Sequence, residues 1–159
     1  MSRRTDTASR LIRAAPAAIW RGFADPAALA EWLPPDGMRG EVLAFDFRAG
    51  GSYRMRLTYE GEVHVPGKTS EHADEVEVRL TGLVEGRRLE QAVTFETDDP
   101  ALSGTMRITW TLEPVSEGTH VTIRCDDVPE GIRQEDHEAG LTSSLANLAA
   151  FAEASEAAR

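Results

Sequence analysis

Large apolar residues change their spacing twice along the chain, and the changes divide it into three regions. In the first, Leu11 and Ile12 lie between Arg10 and Arg13 in a run from Ser9 to Ala15 that stops at Pro16, a residue without a backbone donor; this predicts a short first strand. Pro16 suits the first position of a helix, and Ile19, Trp20 and Phe23 recur at three-to-four spacing until Asp25-Pro26 interrupts them. Asp25 then caps a second short helix with Leu29, Trp32 and Leu33 on its buried side, and Pro34-Pro35-Asp36-Gly37 forces a turn.

From Met38 to Cys125 the period is two, with breaks at Gly50-Gly51, Pro66-Gly67, Glu85-Gly86, Asp98-Asp99-Pro100 and Ser116-Glu117-Gly118, which predicts six more strands. Tyr53, Met55, Leu57 and Tyr59 alternate with Ser52, Arg54, Arg56 and Thr58. Met106, Ile108, Trp110 and Leu112 alternate with Thr105, Arg107, Thr109 and Thr111, so the sheet is expected to be antiparallel with one wet face. The stretch His64 to Asp74 has few apolar anchors and is expected to be a loop and the principal lid, with Pro34 to Gly37 and the Asp126 to Gly131 turn as lesser ones. After Gly131 the period returns to 3.6: Leu141, Leu145, Leu148 and Ala152 form one stripe of a C-terminal helix expected to cover the apolar face, its end fraying from Glu153. The fold class is therefore α+β.

Composition narrows the partners. The 159 residues are expected to form one domain with its ordered core at about 9–152, and 17 Lys+Arg against 27 Asp+Glu give a net charge of −10. Without a basic cluster longer than Arg3-Arg4 or Arg87-Arg88, this acidity argues against nucleic acid and anionic membrane surfaces as partners. The single Cys125 makes neither an internal disulfide nor a cysteine metal cluster, and no apolar window has the length of a membrane span; a cytoplasmic location is expected.

Candidate chemistry is sparse. His64, His72, His120 and His137 include no pair at metal-ligand spacing, so no metal site is expected. His137 precedes Leu141 by four positions and shares its helix face, which leaves two readings open: an imidazole that looks into the space between helix and sheet and bonds a ligand's polar end, or a helix-start histidine facing solvent beside Asp136. The acid pairs Asp98-Asp99, Asp126-Asp127 and Glu135-Asp136 flank turns, where carboxylates cap or close. Cys125 alternates with Ile123 and Val121 and reads as a buried, inert thiol. Ser143-Ser144 lack the glycines of a nucleophile elbow, and Gly50-Gly51 precedes a strand, which excludes a phosphate loop; no cofactor is expected.

The element order resembles the helix-grip fold of the START-like, birch-pollen-allergen-like superfamily: a seven-stranded curved antiparallel sheet wrapped around a long C-terminal helix, with two short helices after the first strand. Pro16-Ala-Ala-Ile19-Trp20, Phe23-Ala-Asp25-Pro26 with Leu29 and Trp32, Phe45-Asp46-Phe47-Arg48 and Gly50-Gly51-Ser52-Tyr53 are similar to the signature of homologues of the activator of heat-shock-protein-90 ATPase. Thr109-Trp110-Thr111-Leu112-Glu113-Pro114, Glu117-Gly118-Thr119 and the Gly140, Leu145, Leu148 helix are similar to that family's closing hairpin and helix. The chain departs from the pattern between Gly61 and Gln91, where the loop is longer and Gly86-Arg87-Arg88-Leu89 lacks a proline. The resemblance implies a cavity between sheet and helix holding an apolar or amphipathic small molecule, bordered by Trp32, Tyr59, Phe95, Trp110, His137, Leu141 and Leu145. It implies no catalytic set. The expected function is non-enzymatic small-molecule binding by a monomer or weak homodimer. A protein-interaction or co-chaperone-like module, and a cyclase- or hydrolase-type enzyme using His137 or Glu96, are the alternatives.

Overall fold

Seven strands and three helices follow one another as β1 (Arg4–Ile12), α1 (Pro16–Ala24), α2 (Pro26–Trp32), β2 (Met38–Phe45), β3 (Ser52–Tyr59), β4 (Ala73–Val84), β5 (Arg88–Phe95), β6 (Gly104–Val115), β7 (Gly118–Val128) and α3 (Gln134–Ala157). This is the architecture in a computed structural model of the chain, which describes residues 4–34, 38–59, 73–95, 99–101 and 103–157, without the side chains of 59, 73, 74 and 95. The strands form one curved antiparallel sheet in the order β1-β7-β6-β5-β4-β3-β2. All three helices lie on its concave face, with α3 against β1, α1 and α2. Two ends of the sheet follow from this path. The closed end holds the β1-to-α1 junction and the C-terminus of α3; the open end holds the starts of β1 and β2, the end of β7 and the N-terminus of α3.

Local chemistry accounts for the helix pair. Pro16 and Pro26 occupy first positions, and the Asp25 carboxylate accepts from the Ala27 N–H at 2.9 Å, capping α2. At the sheet's far corner Gly118 has φ +146°, and a Cβ there would run into the Ile12 carbonyl. Gly118→Ala is therefore expected to cost more than about 1 kcal/mol, read as a lower urea midpoint, because both conformation and space exclude a side chain.

The structure departs from the sequence expectation in three places. β1 begins at Arg4, not Ser9, because its pairing with β7 extends to Arg4 opposite Val128; as an edge strand it buries only Asp6 and Ile12, so its apolar period is faint. β4 begins at Ala73 and β7 runs to Val128, so Ala73, Asp74 and Asp126 to Val128 belong to the sheet and not to lids. Residues 60–72, which include the remainder of the expected lid (64–72) with His64 and His72, lie outside the described residues, as do 35–37 and Glu96. Finally, α3 does not fray at Glu153. The Glu153 carboxylate accepts from the Arg13 N–H at 3.0 Å, that of Glu156 accepts from the Ala15 N–H at 3.1 Å, and Arg21 donates to Ser155 at 2.7 Å, tying the last turns to the start of α1.

Candidate functional site

The concave face is packed shut at its closed end and becomes accessible toward its open end. One rung across β5, β6, β7 and β1 contains Leu89, Trp110, Ile123 and Ala8, of which the first three are buried. Above it Phe23, Trp32 and Trp110 meet edge to face, with centroids 5.0 to 5.9 Å apart. Both indoles are satisfied: Trp32 Nε1 donates to the Gly22 carbonyl at 2.8 Å, and Trp110 Nε1 to Gln91 Oε1 at 3.2 Å. The next rung toward the open end runs Leu80, Gln91, Ile108, Cys125, Asp6. Here Ile108 is only half-buried, and so are Val93 on β5, Leu57 on β3 and Val76 on β4, all nearer the open end. Met106 and Val128 at the same end are buried, so partly exposed apolar side chains alternate with packed ones above a closed aromatic floor.

Three polar groups break this surface. Gln91 is buried, and besides accepting from Trp110 it is hydrogen-bonded to Tyr53; burial pushes the Tyr53 phenol well above its ordinary pKa, with the Gln91 contact opposing. Cys125 is fully buried, and burial first, then the charges of Asp6 and Asp126, push its thiol up to about 12, which makes it the inert thiol expected. Asp6 has no solvent exposure. Its carboxylate pairs with Arg4 Nε at 2.9 Å and His137 Nδ1 at 2.7 Å, and Arg4 also donates to the Ile132 carbonyl. Burial pushes the Asp6 carboxyl up, but the hydrogen bonds and charges of Arg4 and His137 outweigh it and hold the pKa below its ordinary value.

A bulge makes this pairing possible. The β1–β7 register shifts between Arg4 and Asp6, Asp127 takes φ +61°, and Asp126 turns to accept from Thr5 at 2.8 Å and Arg124 at 3.1 Å. Aspartate tolerates that left-handed conformation better than most residues. The turn-closing role expected of this acid pair is thus a bulge within a strand.

Of the residues marked from the sequence, Trp32 and Trp110 lie in the aromatic floor, nearly without solvent contact, and Leu141 and Leu145 are buried on the inner stripe of α3. His137 faces inward one turn before Leu141, at the open end, its side chain 14% exposed. Tyr59 and Phe95 end β3 and β5 at the same open end; their side chains lie outside the description. Asp6 and Gln91 were missed. Each stands at an inward position of an alternating strand, Asp6 in period with Ile12 and Gln91 between Leu89 and Val93, and that misplacement of a polar residue was the available signal. Among the described residues no group of three His, Cys, Asp or Glu is arranged to hold a metal. No helix among them is long and apolar enough to cross a membrane. A separate groove of about 560 Å³ lies outside this site at the closed end, between Val84, Arg87, Arg88, Glu113 and Pro114, open to solvent and bearing both charge signs.

A curved seven-stranded sheet gripping a long C-terminal helix defines the helix-grip class. Within it, residues 13–153 match the family model described as activator of Hsp90 ATPase homolog 1-like protein, and the chain belongs to that family. Protein CV1439 from Chromobacterium violaceum is similar at 36% identity and a TM-score of 0.79, covering 94% of this chain and 96% of that one. The AHSA1-like protein from Aeromonas hydrophila shares the fold at 16% identity and a TM-score of 0.75, with 96% and 94% covered. Protein NE0264 from Nitrosomonas europaea does so at 18% and 0.72, with 95% of each covered. No curated protein sequence matches the chain significantly.

Proposed function

We propose that the domain binds an apolar or amphipathic small molecule on the concave face at its open end, without chemical turnover. The observation that carries this reading is a set of apolar side chains left partly exposed on the inner face toward its open end. Leu57, Val76, Val93 and Ile108 are half-buried there among buried neighbours such as Met55, Met106 and Val128, and a folded domain gains by covering such side chains. Gln91 and Tyr53, buried at its base, supply orientation. Trp32 and Trp110 form its floor, Leu141 and Leu145 its helix wall, His137 its polar rim, and Tyr59 and Phe95 stand at its mouth. The cytoplasmic location, and a monomeric or weakly dimeric state, belong to the same proposal.

The co-chaperone alternative attached to the family name gains less support. The exposed large apolar residues among those described, Leu11, Leu43, Val84 and Val115, sit on separate strands, and single exposed hydrophobics are ordinary. Native mass spectrometry of the purified chain tests the binding reading. The expected result is a small molecule retained by the wild type and lost in Ile108→Trp, which fills the half-buried rung. A bare chain mass together with no thermal stabilisation by apolar probes counts against it.

A further inference from the structure

The Asp6–His137 pair lies at the rim of the surface just described, and its chemistry decides what that rim accepts. Asp6 is fully buried on the inner side of an edge strand, its two oxygens taken by Arg4 and His137. An ionised carboxylate only accepts hydrogen bonds, so at 2.7 Å the His137 Nδ1 must carry the proton. In the neutral ring Nε2 is then the acceptor. Among the described residues Nε2 has no hydrogen bond and no buried side-chain nitrogen or oxygen lacks a partner, so Nε2 is not fully buried where His137 stands, at the open end.

We propose that Asp6 is a specificity-determining residue that fixes His137 Nε2 as a hydrogen-bond acceptor, so that the molecule bound on the concave face is an apolar alcohol or phenol rather than a ketone or a carboxylate. This rests on the binding reading above. A hydroxyl donates to Nε2 while its carbon skeleton runs along the rung that joins Asp6 to the half-buried Ile108 through Cys125. A ketone brings only acceptor lone pairs against the lone pair of Nε2. A carboxylate brings a negative charge as well, into a rim whose Arg4 charge is already balanced by Asp6 and whose helix start carries Glu135, Asp136 and Glu138. Arg4 thereby acts through Asp6: its ion pair keeps the carboxylate ionised, and the ionised carboxylate sets the tautomer.

The test compares 1-octanol, 2-octanone and octanoate by isothermal calorimetry at pH 8 on the full chain. The wild type is expected to bind 1-octanol about tenfold more tightly than 2-octanone, the difference of one net hydrogen bond, and octanoate more weakly still. In Asp6→Asn the amide donates to Nδ1, the proton moves to Nε2, and the tenfold preference is expected to fall to parity or reverse. His137→Phe keeps the ring volume, guards against loss of fold in the first variant, and is expected to bring the ratio to parity. An unchanged ratio in both variants, or octanoate binding as tightly as 1-octanol, overturns the proposal. If none of the three probes binds but the native mass spectrum shows another retained molecule, the alcohol assignment fails and the binding reading survives; if neither binding nor a retained molecule is seen, both fail.

Discussion

Trp110→Ala is expected to lower the unfolding free energy by about 3–5 kcal/mol, read as a shift in the urea midpoint at unchanged slope. The indole fills the junction of three layers. It lies on the inner face of β6, is 4% exposed, and is met edge-on by Phe23 from α1 and Trp32 from α2. Its removal opens a cavity that cannot collapse, because the sheet below is held by ladders to β5 and β7 on both sides. It also removes one of the two partners of the buried Gln91 amide, the indole N–H that donates to Oε1, and leaves it Tyr53 alone. Trp110→Phe keeps most of the volume and loses the N–H, so it is expected to recover more than half of the loss. A loss below about 1 kcal/mol for the alanine variant would mean that the indole lines an open space and is not packed.

That distinction between floor and lining was beyond the sequence. Trp32 and Trp110 are apolar at inward positions, and the periodicity that puts them inside is identical whether a neighbour or a ligand covers the ring. What was legible was the framework. Pro16 and Asp25-Pro26 mark both short helices because proline and aspartate act locally through a fixed φ and a short side-chain acceptor. The central strands show their period because one face is buried and the other wet. The failures share the opposite cause. The first residues of β1 are fixed by backbone pairing with β7, more than a hundred positions away, and the end of α3 by backbone donors at Arg13 and Ala15, again far off in the chain. Asp6 and His137 are 131 positions apart, and nothing local to either announces the other. Long-range polar pairs of this kind leave no periodic trace, only a polar residue where an apolar one is due.

The Asp6 cluster also makes stability depend on pH in a direction that its environment dictates. The Asp6 carboxyl is held below the ordinary carboxylate value in the folded chain, since the Arg4 and His137 hydrogen bonds and charges outweigh the opposing effect of burial. On acidification the unfolded chain therefore takes up its proton first. The stabilisation from this carboxylate is fully present above about pH 4 and is lost as the pH falls through the folded value. Asp126 adds to the same trend: its burial is outweighed by Thr5 and Arg124, which also hold its carboxyl low. Asp6→Ala at pH 7 is expected to cost about 3 kcal/mol, the lower part of the range for breaking a buried pair, because Arg4 is 30% exposed and regains water. In urea titrations from pH 7 to pH 2.5 the wild-type midpoint is expected to drop below pH 4 more steeply than that of Asp6→Ala, so that the two curves converge in acid. Parallel curves would show that the carboxylate contributes no differential proton binding.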